Sequence, residues 1–159
     1  TNVVRLQNHL VLCKSPGDVL AEASTNVFFR KRYIEVKKKY DELLTRAKKM
    51  ARGRILFFRY SGNLSMSADL SNELCYNFPD KIIIVAYLNG NIANISMRGK
   101  NVKKILSRVL ESVGGSGGGH DDAVGARISV SDLDIFKKEV EKSRLFLERK
   151  DWLSPNHVH

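Results

Sequence analysis

Residues 81–98 read KIIIVAYLNGNIANISMR, and their reading decides the fold. Lys81 to Leu88 is a short, almost unbroken apolar run rich in β-branched residues, the mark of a strand buried on both faces. Asn89-Gly90 follows as a type I′ hairpin signal. Asn91 to Arg98 then reads as the returning antiparallel strand, with alternation at Ile92 and Ile95. On either side lie helix-patterned segments. Residues 64–77 place Leu64, Leu70, Leu74 and Cys75 at helical spacing and stop before Pro79. Residues 101–113 carry Val102, Ile105, Leu106, Val109, Leu110 and Val113, with Asn101 or Ser96 as the expected cap.

Further out, Ile55-Leu56-Phe57-Phe58-Arg59-Tyr60 reads as a buried strand and Ala126 to Val130 as a short one, and Ser131 caps a final helix to about Lys150. Ser15-Pro16-Gly17-Asp18 is turn and N-cap chemistry, with Asp18 the acceptor. A long helix is expected from there to Arg52, ended by Gly53. Its apolar stripe is Tyr33, Val36, Tyr40, Leu43, Ala47 and Met50, at spacings of three and four. Residues 1–17 read as the tail of a preceding domain or an irregular lead-in, and 152–159 as a flexible tail. The expected class is α/β: a mixed sheet flanked by helices (54–151), preceded by a long basic connecting helix (18–53).

The chain has 159 residues, a net charge of +10 and no apolar run long enough to span a bilayer. The charge is concentrated. Residues 27–52 hold ten Lys/Arg against three acids, the electrostatic footprint of a polyanion binder. Arg30, Lys37, Lys38 and Lys48 are the auxiliary basic candidates within it. Cys13 and Cys75 are far apart and lack CxxC spacing, which supports neither a disulfide framework nor a zinc knuckle and fits a reducing, cytoplasmic setting. The first residue is Thr1, as expected of a fragment or processed product.

Residues 114–125, GGSGGGHDDAVG, hold six of the eleven glycines. Such a run serves positive φ angles, a ligand that must approach bare backbone, or a flexible linker. A linker is not expected to end in His-Asp-Asp-Ala-Val-Gly-Ala-Arg. A P-loop needs a Lys after the glycines and a strand before them, and both are wanting. The dinucleotide fingerprint fails in register, because its third glycine falls on His120. A kinase-type loop lacks its Asp-Phe-Gly element. His120-Asp121-Asp122 is a poor metal site, since adjacent residues seldom converge on one ion. What remains is a backbone nest able to hold a phosphate, with Arg98 converging on the same anion and His120 beside it.

The string Ser96-Met97-Arg98, Asn101, a helix, then Gly117-Gly118-Gly119-His120 and Ala123-Val124-Gly125-Ala126 resembles the DHH-associated C-terminal domain of DHH-family phosphoesterases. The doubled glycine form is most similar to the archaeal RecJ-like single-strand exonucleases, and Asn26 to Lys31 more weakly resembles the RecJ connector helix. The resemblance implies single-stranded DNA or RNA as partner in replication or repair, with Ser96, Arg98, Gly117, Gly118, Gly119 and His120 contacting the phosphate backbone. It implies no catalytic residue and no metal ligand in this chain. The DHH motif and its aspartates are missing, so the Mn or Mg that the family uses is implied only for a catalytic domain outside this chain. Val124 departs from the family's small Ala. Two alternatives stand beside this reading: a non-catalytic replisome scaffold subunit with replisome proteins as partners, and a metal-dependent phosphodiesterase complete in itself. No membrane partner is expected.

Overall fold

A computed structural model describes residues 2–21 and 24–153. His157, His159 and the rest of the tail from 154 onward lie outside the described residues, as do Thr1 and positions 22–23 of the expected long helix. The chain divides into two compact units, Thr1–Glu42 and Leu43–His159.

In the first unit, where the sequence assigns residues 1–17 to the tail of a preceding domain or an irregular lead-in, residues 2–12 form a helix, α1 (Asn2–Leu12). Its half-buried positions are Leu6 and His9, followed by Cys13 just past its end. A pattern of apolar residues misses this face because two of its three members are His and Cys. His9 stacks on Phe29 at 5.5 Å, and the Cys13 thiol donates to the His9 carbonyl at 3.3 Å. The short α2 (Pro16–Leu20) is capped by Ser15, not Asp18. Ser15 Oγ accepts from the Asp18 N–H, and Asp18 Oδ2 accepts from the Lys14 and Ser15 N–H groups at 2.8 and 3.0 Å, a reciprocal capping box. Those backbone donors hold the Asp18 carboxyl below its ordinary pKa.

The long basic helix is α3 (Ser24–Lys48), which starts later and ends sooner than the expected 18–53 and leaves Met50 of its stripe outside. Ala47 of the stripe is buried, whereas Tyr33 and Met50 are exposed; Leu44, outside the stripe, is buried. After α3, Gly53 at φ +67° turns the chain into the sheet.

The second unit is built on β1 (Ile55–Ser61), α4 (Ser67–Asn77), β2 (Ile82–Asn89), β3 (Ile92–Arg98), α5 (Val102–Val113), β4 (Ser116–His120), β5 (Ala123–Ser129), a 3-10 turn (Val130–Asp132) and α6 (Leu133–Leu153). The sheet order is β1-β2-β3-β5-β4, with β1 parallel to β2 and every other pairing antiparallel. This is the mixed α/β sheet preceded by a long helix that the sequence predicts.

The elements differ from expectation in detail. Asn89 pairs with Ile92, so the hairpin loop is Gly90-Asn91. Only Gly90 has positive φ, which makes the turn II′-like and not I′. In β3 the buried alternation is Ala93, Ile95 and Met97, and Ile92 is only half-buried. Helix α4 begins at Ser67, leaving Leu64 outside it, because the Tyr60 hydroxyl accepts the Met66 N–H at 2.6 Å. Burial pushes the Tyr60 phenol up from its ordinary pKa. Neither expected cap operates on α5: Asn101 sits at the N-cap position in the left-handed region (φ 61°) without a side-chain bond, and Ser96 is buried in β3. Ser131 lies in the 3-10 turn and bonds Ser129 and Asp132 side chains.

One sheet face is closed. Ile82, Ile84, Ala86, Ala93, Ile95, Met97, Val124, Ala126 and Ile128 pack there against Val102, Ile105, Leu106 and Val109 of α5 and Leu133, Phe136 and Val140 of α6. The opposite face receives α4, which packs chiefly on β2 and β3. Leu56, Phe58, Ile83, Val85, Leu70 and Leu74 are buried on that side, and β5 and β4 extend past the helix.

Candidate functional site

The expected glycine turn is a strand. Ser116–His120 pairs with β5 as the sheet's edge; Gly117 and Gly118 are extended, Gly119 sits at φ +144°, and the run forms no nest of successive αR–αL N–H groups. A strand of one Ser, three Gly and one His has little intrinsic β-propensity. It forms because β5 supplies a complete ladder partner, from Ser116↔Arg127 to His120↔Ala123.

The glycines of the run fall into two kinds. A Cβ on Gly117 would lie 2.7 Å from the Gly125 carbonyl oxygen and 3.0 Å from the Ala126 Cβ, and Cβ atoms on Gly115 and Gly119 would likewise strike β5. These three are required by the close approach of two backbones. A Cβ on Gly118 would meet nothing within 4 Å. Nothing in the fold requires its absence.

Register gathers the remaining candidates. Ser96 pairs with Gly125, which pairs with Gly118; Arg98 pairs with Ala123, which pairs with His120. Directly opposed residues of antiparallel strands project to the same side. Ser96, Arg98, Gly118 and His120 therefore share the face that α4 only partly covers, together with Gly125 and Arg127. The result is a shelf of bare backbone at Gly118 and Gly125, rimmed by Arg98, Arg127 and His120. Gly117 and Gly119, also candidates, are turned into β5 and present only main-chain atoms.

α4 orders this shelf at its covered side. Ser96 Oγ donates to Ser67 Oγ at 3.0 Å. Arg98 Nε donates to Asn72 Oδ1 at 2.7 Å, and its Nη1 donates to the carbonyls of Met97 (2.8 Å) and Val124 (3.4 Å). That leaves Nη2 of a fixed guanidinium for an incoming acceptor. The β4–β5 turn is pinned as well: the Gly99 N–H donates to the Asp122 carbonyl at 3.0 Å and the Lys103 N–H to that of Asp121 at 3.2 Å. His120, exposed at the end of β4, is thereby held near the β3–α5 junction.

Ser67, Asn72 and Arg127 are additions to the residues read from the sequence. Arg127 was legible, since it follows Gly125 by two along a strand. Ser67 and Asn72 come from a helix whose polar residues carry no motif. Of the auxiliary bases, Arg30, Lys37 and Lys38 belong to the Thr1–Glu42 unit and Lys48 to the sheet's unit. Lys37 is ion-paired with Asp41, and Lys48 is half-buried. Among the described residues, no three His, Cys, Asp or Glu side chains gather in a way that fits a metal ion, and no helix is long and apolar enough to cross a membrane.

A family model described as the DHHA1 domain matches residues 37–143, more than half of the chain. No curated protein matches it. Among solved structures it is similar to RecJ from Thermus thermophilus in complex with Mg2+: 12% identity, TM-score 0.64, covering 87% of this chain and 23% of that one. The same RecJ with Mn2+ gives 16% identity, TM-score 0.55, 87% and 22%. The pGpG-specific phosphodiesterase PggH from Vibrio cholerae gives 12% identity, TM-score 0.52, 89% and 49%. At these identities the likeness is one of fold. The chain spans under a quarter of the length of RecJ and about half that of the phosphodiesterase.

Proposed function

Because the chain belongs to the DHHA1 domain family, we propose that it is the part of a RecJ-like DHH-family phosphoesterase that holds single-stranded DNA or RNA by its phosphate backbone. The hydrolytic chemistry, with its Mn or Mg, then resides in residues outside this chain, and this chain acts without a catalytic residue of its own.

The observation that carries the reading is the shelf. Gly118 and Gly125 leave main chain exposed where the fold would admit side chains, beside a guanidinium whose orientation is set before any ligand arrives. A preorganised arginine loses little further freedom on binding, and its bond to a phosphate oxygen is charge-assisted. Arg127 and His120 lie on the same face, and a concavity beside it is lined by Lys103, His120 and Ala123 together with Asp121 and Asp122. Of the family's Ser, Arg and Gly-Gly-Gly-His positions, Ser96, Arg98, Gly118 and His120 share this face in register, while Gly117 and Gly119 offer only main-chain atoms, which supports the reading. Arg30, Lys38 and Lys48 add non-specific charge, with Lys37 weakened by Asp41.

The test is fluorescence anisotropy with a labelled single-stranded oligonucleotide across a salt series. Affinity falls with salt, with a log–log slope of about 0.7 per neutralised phosphate. Arg98→Ala weakens binding about tenfold or more, as expected for a charge-assisted bond of roughly 1.5–3 kcal/mol, and lowers that slope. Salt-independent binding, or full affinity in Arg98→Ala, refutes the reading.

A further inference from the structure

We propose a second anion site, on the closed side of the sheet: a cavity of about 290 Å³ at the start of β1, β2 and α5 that takes a small phosphomonoester. Ser96, Arg98, Gly118 and His120 do not line it, so this inference is independent of the nucleic-acid reading.

Three cations reach the cavity from three separate segments: Arg54 ahead of β1, Lys81 ahead of β2, and Lys100 from the β3–α5 turn. Their assembly is specified by backbone. The Arg54 carbonyl accepts the Ile82 N–H at 3.0 Å, and the Lys81 ammonium donates to the Gly53 carbonyl. Gly99, at φ +128°, lies so close to Lys81 that a Cβ would stand 2.8 Å from its carbonyl oxygen. That glycine brings Lys100 to the same rim as Lys81.

The contrast with the cavity's fourth cation is instructive. Arg144 is neutralised within α6, by Glu141 at 2.5 Å and Glu148 at 2.7 Å. Among the described residues no carboxylate forms an ion pair with Arg54, Lys81 or Lys100. Asp80 also stands on the rim but is in none of those pairs, and the rim stays net positive. Three cations against the single carboxylate of Asp80 leave an excess of positive charge, and like charges repel unless an anion joins them. A phosphate dianion supplies that charge and accepts from all three.

Size and lining define the rest of the ligand. The volume is near the lower limit of small-molecule pockets, more than an inorganic anion needs. Ile82, Ile105 and Leu147 give it an apolar wall. The ligand class is therefore a phosphomonoester with a compact ring or apolar body, and adenosine 5′-monophosphate is a suitable probe.

Isothermal titration calorimetry of the 159-residue chain with this nucleotide, adenosine and inorganic phosphate tests it. The nucleotide binds, with adenosine and phosphate each at least tenfold weaker. Lys100→Glu and Arg54→Glu each weaken the nucleotide tenfold or more without shifting the thermal transition, since both residues are exposed. Amide chemical-shift mapping on the unsubstituted chain gives a second readout, with shifts expected at Lys81, Lys100 and Leu147. No nucleotide binding, phosphate binding as tightly as the nucleotide, or shifts confined to Arg98 and His120 overturns the proposal.

Discussion

The two sides of β4 are made of the same residue for opposite reasons. Gly115, Gly117 and Gly119 have no side chain because β5 occupies the space where a Cβ would go. Gly118 has none although the space is empty. The same contrast runs through the whole sheet. Its α5–α6 side is packed with aliphatic side chains and Phe136. Its α4 side buries Leu56, Phe58, Ile83 and Val85 near the helix but carries Asn94, Ser96, Arg98 and Arg127 on β3 and β5, and α4 lies chiefly over β2 and β3. Absence of a side chain means packing in one place and room for a ligand in the other.

The largest effect belongs to the closed side. Phe136 is fully buried, and Phe136→Ala lowers stability by about 3–5 kcal/mol in denaturant titrations. A loss below about 1 kcal/mol would mean that α6 is not part of a tight core.

Next is the glycine pair. Gly117→Ala forces a Cβ against β5 and costs about 1–3 kcal/mol. Gly118→Ala is neutral or stabilises by up to about 0.5–1 kcal/mol, because a strand glycine is replaced without a clash. It weakens oligonucleotide binding severalfold all the same, by placing a methyl on the shelf. Equal stability losses in the two variants would erase the distinction between the two sides. Undiminished binding in Gly118→Ala would show that the shelf is not the seat.

The smallest effect is the subtlest test of the α4 side. Asn72→Ala frees the Arg98 guanidinium without removing it, so affinity drops about two- to fivefold, less than in Arg98→Ala. The double variant is no worse than Arg98→Ala alone, since coupled residues are not additive. Additive losses would mean that Asn72 contacts the ligand by itself.

Much of this was legible in residue order. The hairpin of β2 and β3 shows in KIIIVAYL and the turn after it, because a strand buried on both faces has a composition few other elements share. Helix α5 shows in its 3–4 spacing, and Ser96, Arg98 and His120 were recognisable from their motif. The errors share a physical cause. Helix α1 was missed because His9 and Cys13 supply its packing face. Ser131 and Asn101 have capping chemistry but other backbone surroundings. The β4 strand was read as a turn because glycine's backbone freedom leaves its conformation to its neighbours.

By itself, then, the sequence determined the class of fold, the family, and the residue types of the candidate site, since periodicity and motif spacing are local properties of the chain. Only the tertiary structure decided that the glycine run is an edge strand, which of its glycines are packed and which are open, and that Asn72 holds Arg98. These depend on β5 and α4, elements brought beside β4 and β3 by sheet register and packing, and no local pattern encodes a neighbour's position.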